Sequence, residues 1–462
     1  MKVLYYNWCP IPENEGGGIA VYQRNLLNYM QHNSVDIDAY FLCSGFFYDN
    51  TGHTYVREEK GEYNARVFSL VNSPVFAPMR APHDNFEVMI NDTTTLNEMH
   101  RFIEKYGPFD AIHFQTLEGL SLKVLSLKET FPDTKFLYSV HNYTSICPNV
   151  MLWTEDDENC QALHVNCQNN CSNCMNRYEK PSTTFLKRSR HLLNQNHNKL
   201  YYYTRGVKYV SRKYLPVKRL NNNDIYQNYL EESISGINRY VDNVLAVSEK
   251  VKEIVIKRGI KENIVDVCYI GTKFAEKSLG YSIVDANNNP FGIVYMGYMR
   301  KEKGFYFFLS SLEKMKDEMA KNMSVTFASK ITDKSAAKRI EKLKKKFSDI
   351  RIFDGYTHDD IPNILGNAHI GVVPVLWEDN LPQVTIEMIS CGVPVLASSY
   401  GGASELCSSD YFCFEGNNTD DFLNKVETIY NDRSLLQTYW NSVQKLTTMN
   451  DHVHKLMRFY ER

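Results

Sequence analysis

The chain has 462 residues, 43% hydrophobic and 23% charged, with 52 Lys and Arg against 54 Asp and Glu for a net charge of −2. That length predicts two domains of roughly 200 residues each, and that composition excludes a disordered, fibrous or collagen-like chain. No apolar run is long enough to cross a bilayer, and Met1 to Val3 passes directly into a strand pattern. A cytoplasmic protein is therefore expected, its eleven cysteines reduced or, where clustered, bound to metal.

In chain order, Lys2 to Tyr6 reads as a short buried strand, and Glu15-Gly16-Gly17-Gly18 as a glycine loop. Ile19, Tyr22, Leu26, Leu27 and Met30 have the spacing of an amphipathic helix. Gly16, Gly17 and Gly18 would let a phosphate approach the N–H groups of that helix, although a tight turn accounts for them equally well. Val35 to Leu42, Asp110 to Phe114 and Lys135 to Val140 are further strands. His141 and Asn142 follow the last of these, at the carboxyl end where open α/β sheets bind ligands.

Plain alternation then stops, and an insert covers about 147–240. It holds Cys147, Cys160, Cys167, Cys171 and Cys174, five cysteines in 28 residues. The Cys171-x2-Cys174 knuckle, completed by Cys147 and Cys160 with Cys167 as alternative ligand, suits a tetrahedral structural zinc. Free thiols or an iron–sulfur cluster are the other readings. From Lys180 to Asn223 there are eleven Lys and Arg and no Asp or Glu, which leaves −13 for the rest of the chain. Such an island fits an anionic partner such as a membrane surface, or else a solvated face. It carries no nucleic-acid-binding motif.

Val241 to Val247, followed by Ser248-Glu249, closes the first series, and Lys277 to Pro290 reads as a linker. A second series begins with a strand at Gly292 to Met296, the turn Gly297 to Gly304 and a helix from Phe305 to about Met319. Strands follow at Ser324 to Ala328, Ile350 to Phe353, Ile370 to Val375 and Val393 to Ala397. Leu435 to Arg462 reads as a terminal helical stretch that packs back on a domain. Two consecutive βα series predict an α/β protein of two doubly wound, Rossmann-like domains, 1–280 and 291–435, with 436–462 packing back.

The most informative stretch is Asp379-Asn380-Leu381-Pro382-Gln383-Val384-Thr385-Ile386-Glu387. It runs from a polar loop into a helix, with two carboxylates about two helical turns apart. Hydroxyl-binding acids at a helix N-terminus that attracts anions suit a sugar nucleotide. An N-cap role for Asp379 or Asn380 is the structural alternative.

With Gly392-Val393-Pro394-Val395 and Gly401-Gly402-Ala403-Ser404-Glu405, this stretch resembles the E-x7-E, G-x-P-V and G-G-x-x-E segments of glycosyltransferase family 4, the retaining two-domain GT-B enzymes (glycosyl transferases group 1). Ser248-Glu249, Tyr269-Ile270-Gly271, the 16–18 loop and Lys303-Gly304 match in position. His141-Asn142 with Cys147-Pro148 is similar to a subset carrying further cysteines. Three departures stand out. Asp379 replaces the first Glu, Tyr298 replaces the Arg after Gly297, and Asn142 replaces an Asp.

The resemblance implies a GT-B fold with a Cys-rich helical insert in its N-terminal domain. It also implies a hexosyltransferase that moves sugar, with retention, from a nucleoside-diphosphate donor to an acceptor hydroxyl. No catalytic cofactor is implied. Lys303, Arg300 and the backbone at 16–18 would hold the diphosphate, with Gly297 allowing its approach. Glu387 would hold the ribose. Asp379, Asn380, Leu381, Pro382 and Gln383 would hold the donor sugar, with His141 near the reacting centre. The acceptor is expected to be a glycan or lipid-linked surface-polysaccharide precursor met at the inner face of a membrane. A nucleotide-sugar 2-epimerase and a non-catalytic, zinc-stapled glycan-binding protein are the competing readings.

Overall fold

A computed structural model describes residues 1–11, 17–33, 35–60, 65–78, 84–154, 156–160, 171–176 and 223–461. Gly16, Cys167 and nearly all of the basic stretch, residues 180–222, lie outside them.

The first sheet has eight strands: β1 (Lys2–Tyr6), β2 (Asp38–Ser44), β3 (Tyr55–Glu58), β4 (Arg66–Val71), β5 (Ala111–Phe114), β6 (Lys135–Val140), β7 (Asn243–Ala246) and β8 (Val265–Val267). Their order is β3-β4-β2-β1-β5-β6-β7-β8, parallel except for the antiparallel β3–β4 edge. The second sheet contains β9 (Phe291–Met296), β10 (Met323–Ala328), β11 (Asp349–Phe353), β12 (Ile370–Val373), β13 (Val395–Ser398) and β14 (Cys413–Phe414). It is wholly parallel in the order β11-β10-β9-β12-β13-β14. Strands β5, β9, β12 and β13 are buried at every residue, as expected of central strands covered by helices on both faces.

Both sheets are doubly wound, so each has a switch point where connections leave in opposite directions. In the first it lies between β1 and β5; Asn7, Gln115 and His141 follow β1, β5 and β6 there. In the second it lies between β9 and β12, and the segments leaving it are Gly297–Gly304 and 374–382. The two stretches singled out in the sequence thus emerge side by side.

Four features differ from the sequence expectation. The Phe305 helix ends at Lys314, because Met315 turns to extended backbone (ψ 142°) and buries its side chain. The terminal stretch splits into helices Leu435–Ser442 and Met449–Glu461, since Val443 leaves the helix to bridge Cys407. The linker is tied down: Leu279 and Ile283 donate backbone N–H groups to Ser390 and Gly392. The short strands β3, β4, β8 and β14 carried too little periodicity to be anticipated.

The last helix returns from the second domain to the first sheet. Tyr460 Oη lies 2.8 Å from His113 Nδ1 and 3.3 Å from Tyr5 Oη. His452 Nδ1 faces the Tyr269 carbonyl at 2.8 Å, so it carries the proton, and Nε2 accepts from Tyr22 Oη at 2.6 Å. Burial pushes the imidazole of His452 down to about 4 and that of His113 well below its ordinary value. A group whose pKa is lowered on folding binds its proton first in the unfolded chain. Stability should therefore be full above about pH 6.5, the unfolded value, and fall as pH drops toward 4. Denaturant titrations should show a loss of about 2 kcal/mol or more between pH 7 and 4.5. A flat profile across that interval would mean these imidazoles are solvated.

Candidate functional site

The loop 374–383 leaves β12 and is held from two sides by glycines. Gly304 (φ +73°) lies so close that a Cβ on it would stand 1.6 Å from the Pro374 carbonyl oxygen. Gly401 (φ +71°) would place a Cβ 2.2 Å from the carbonyl oxygen of Asp379. Both positions need glycine for the backbone angle and for the contact. Gly401 N–H donates to Glu378 Oε2 at 2.8 Å, and Gly402 N–H to the Asp379 carbonyl at 2.9 Å.

Inside this loop Lys303 Nζ meets Asp379 Oδ2 at 2.5 Å, and the same ammonium lies 5.1 Å from the Trp377 ring centroid. The Asp379 side chain is only 9% exposed. Arg300 points elsewhere, to Glu302 at 3.7 Å, and its guanidinium packs on Tyr298. The helix Gln383–Ser390 starts at Pro382 without a side-chain cap, so neither Asp379 nor Asn380 serves as one. Glu387 is buried on that helix, with Oε1 3.3 Å from His358 Nε2. His358 in turn packs beside Phe274.

The loop also crosses to the first domain. Asn380 donates from Nδ2 to the Val140 carbonyl at 3.3 Å, and its own carbonyl accepts from Ser248 Oγ at 2.8 Å. Gln383 Nε2 donates to the Gly18 carbonyl at 3.0 Å, which brings the first-domain glycine loop to the start of this helix. Glu405 accepts from the backbone N–H groups of Glu249 (2.9 Å) and Lys250 (3.0 Å) and from Tyr269 Oη (2.6 Å). A carboxylate of one domain thereby occupies the N-terminus of the helix Glu249–Lys257 in the other.

His141 stands next to this junction. Its Nε2 lies 2.7 Å from Gln115 Oε1 and its ring 4.7 Å from that of Tyr22. With Oε1 accepting, Nε2 holds the proton and Nδ1 is left as an acceptor. Burial, aided by His452, pushes the imidazole down to about 3, so it is neutral near pH 7. Asn142 donates to the buried carboxylate of Glu118 at 2.9 Å. Asn7 Nδ2, Gln115 Nε2, Tyr143 Oη and Trp377 Nε1 are buried without a hydrogen-bond partner among the described residues. The Tyr143 hydroxyl is pushed well up by burial and then by the charges of Glu378 and Asp379, so it borders the same loop.

Of the residues singled out in the sequence, Lys303, Asp379, Asn380 and Gln383 are joined by direct contacts to one another or to the first-domain residues beside His141 and Gly18. Gly17 is exposed and Gly297 (φ +153°) lies over the Tyr295 hydroxyl. Leu381 and Pro382 are buried. Cys147, Cys160, Cys171 and Cys174 line one pocket. Among the described residues, however, no three His, Cys, Asp or Glu side chains are gathered as a metal site. Glu118, His358, the bridging role of Glu405, and Asn159, whose amide donates to the Leu376 carbonyl at 3.0 Å and accepts from the Glu378 N–H at 3.1 Å, were not anticipated. Only Glu405 had a signal, its place in the Gly401-Gly402 motif.

Residues 290–432 match the family model described as glycosyl transferases group 1. The second domain therefore resembles the group 1 glycosyl transferases. Over 79 residues the chain is 34% identical to the Escherichia coli UDP-Gal:alpha-D-GlcNAc-diphosphoundecaprenol alpha-1,3-galactosyltransferase, covering 17% of this chain and 20% of that protein. Over 211 residues it is 24% identical to an uncharacterized glycosyltransferase of Methanocaldococcus jannaschii, covering 45% and 52%. The chain thus spans about a fifth and about half of these relatives. Among solved structures, sucrose-phosphate synthase from Thermosynechococcus elongatus superimposes over 100% of this chain and 98% of its own, with a TM-score of 0.59 at 14% identity. Anabaena HepE in complex with UDP-glucose covers 100% and 99%, with a TM-score of 0.56 at 12% identity. Around the matched domain the whole chain therefore has the GT-B fold.

The pair inside the matched domain should be energetically coupled. Lys303→Ala leaves the buried Asp379 carboxylate without its cation and should destabilise the protein by about 1–3 kcal/mol. In a double-mutant cycle with Asp379→Ala, the coupling should be about 1 kcal/mol or more by urea unfolding. Strict additivity would mean the contact contributes nothing.

Proposed function

We propose that the protein is a retaining glycosyltransferase that moves a hexose from a nucleoside diphosphate to an acceptor hydroxyl. The observation that carries this reading is the loop 374–383. It is fastened between two glycines, holds the buried Asp379 paired with part-exposed Lys303 and opens an uncapped helix N-terminus toward the first domain. An uncapped helix N-terminus and an ammonium are what a departing diphosphate needs where no cation is supplied with it.

In this reading the diphosphate lies between Lys303, the start of the helix Gln383–Ser390 and the backbone at Gly18. Asp379 keeps Lys303 oriented and, as the diphosphate draws the ammonium away, turns toward sugar hydroxyls. Glu387 holds the ribose, with His358 as its neighbour before the donor arrives. Neutral His141 offers Nδ1 as an acceptor for a sugar or acceptor hydroxyl. No side-chain nucleophile is needed: the acceptor attacks from the face the diphosphate leaves, and the leaving phosphate oxygen takes its proton. The cross-cleft bonds of Asn380, Gln383 and Glu405 exclude water from that step.

A UDP-hexose is the first donor to test, since HepE is a structure with UDP-glucose and the Escherichia coli relative is named for UDP-Gal. The same relative is named for a diphosphoundecaprenol acceptor. That name and the basic 180–223 stretch support a lipid-linked acceptor in surface-polysaccharide assembly at the cytoplasmic face of a membrane.

Thermal-shift titration across sugar nucleotides should find one donor that raises Tm, and Glu387→Ala should abolish the rise. Undiminished binding by that variant would refute the ribose assignment. With the donor identified, Lys303→Ala should lower kcat by about 10²–10³. For the acceptor, the protein should float with anionic liposomes and stop doing so when Lys187, Arg188 and Arg190 are neutralised. Failure to float would leave a soluble acceptor instead.

A further inference from the structure

The loop 374–383 is not held by its own domain alone. Around Trp377, two backbone groups are satisfied within the second domain. Leu376 N–H donates to the Glu302 carbonyl at 2.9 Å, and the Trp377 carbonyl accepts from Asp379 N–H at 2.8 Å. Two more are satisfied from the first domain. The Leu376 carbonyl accepts from Asn159 Nδ2, and Glu378 N–H donates to Asn159 Oδ1. One side chain thus serves the backbone on both sides of Trp377, much as a neighbouring strand would.

Asn159 stands on a small hairpin that the first domain extends beyond β6, closed by the antiparallel Trp153–Asn159 bridge. The hairpin is anchored at its base. Asn149 Nδ2 donates to the Trp153 carbonyl at 2.5 Å, Cys160 N–H to the Leu152 carbonyl at 2.7 Å, and Arg258 Nη2 to the Cys160 carbonyl at 3.1 Å. Leu152 and Trp153 are buried, so the hairpin moves with the first domain. At its tip Asp157 meets Lys301 at 2.7 Å, but the Lys301 side chain is 60% exposed and such a pair contributes little. The Asn159 amide is the contact that specifies the fit. A carboxylate at 159 has no hydrogen to donate to Leu376, and an alkyl side chain could make neither bond.

The path from Asn159 to the charges of the site is short. The Trp377 ring lies 5.1 Å from Lys303 Nζ, and Asp379, two residues on, pairs with that ammonium. Glu378 lies between them and accepts from Gly401 N–H at 2.8 Å. Fixing the peptide groups on either side of Trp377 fixes its ring against the ammonium and sets the course of the chain into Asp379. If the domains part, the Leu376 carbonyl and the Glu378 N–H turn to water, and the loop loses two of these four holds.

We propose that Asn159 is a positioning residue for the donor site, contributed across the cleft by the first domain. It brings Lys303 and Asp379 to their working geometry only when the domains meet, so the departing diphosphate finds its ammonium in place only in the closed protein. Asn159 touches no reacting atom. The catalytic half of this proposal rests on the transferase reading; the structural half, that Asn159 holds the loop, does not.

Without donor, amide exchange at Glu378 should speed up about fivefold or more in Asn159→Ala, the equivalent of one lost hydrogen bond. Glu158→Ala, at an exposed neighbour on the same hairpin, should leave it unchanged. With the donor found by thermal shift, Asn159→Ala and Asn159→Asp should each lower kcat about 10- to 100-fold and keep the donor KM within about twofold. In a Lys303→Ala background, Asn159→Ala should cost less than about twofold more, because its effect passes through Lys303. Unchanged exchange at Glu378 would overturn the hold on the loop. A raised donor KM at unchanged kcat, or full additivity with Lys303→Ala, would overturn the positioning role. If Asn159→Ala does not fold, the kcat of Asn159→Asp, which keeps its acceptor toward Glu378, decides instead. A protein that transfers no sugar, yet shows the faster exchange, would sink the transferase reading and keep the hold of Asn159 on the loop.

Discussion

Asp379 is a buried carboxylate, and the ammonium of Lys303 at 2.5 Å is what makes its burial tolerable. The two residues come from segments that leave adjacent strands, β9 and β12, at the switch point of the second sheet. Their pairing sets the course of the loop between Pro374 and Gln383. The loop then lies close enough to residues 304 and 401 that only glycine fits at either position. From that one constraint follow the position of Asn380 against Val140, of Gln383 against Gly18, and of the helix that carries Glu387.

The hydrogen bonds between the domains are made largely through backbone groups. Glu405 occupies a helix N-terminus, Ser248 and Asn380 exchange with backbone, and Asn159 pairs with the chain on either side of Trp377. Such bonds are individually modest, about 1 kcal/mol net each, and can be traded for water. In the function proposed above, they suit two domains that part to admit a donor and meet again around it. The last helix is different. Its Tyr460 and His452 are buried against the rings of Tyr5 and Tyr22 in the first domain, so it ties the two domains together by aromatic packing.

Much of the site was legible because its parts are local. The turn Gly297–Gly304 and the stretch Asp379–Glu387 each follow a strand pattern and open a helix within a few residues. Glycine, proline and acid positions there report the backbone directly. The partners were not legible. Nothing around His358 signals that it faces Glu387, and nothing around Asn142 signals that Glu118 supplies a carboxylate beside it. The four thiols could be grouped by spacing, but not the hairpin between them that touches the second domain.

The amino-acid sequence alone determined two βα series, the positions of their loops and the chemistry of the residues in those loops. Those properties arise from periodicity and turn chemistry over ten or so neighbouring residues. Edge strands such as β3 and β14, the break at Val443 and the tethering of the linker depended on the folded protein. So did the assembly of residues 18, 141, 159, 248 and 405 around one loop. Each of these rests on a hydrogen bond or contact between groups distant in the chain, and such a bond leaves no repeating pattern in the sequence on either side.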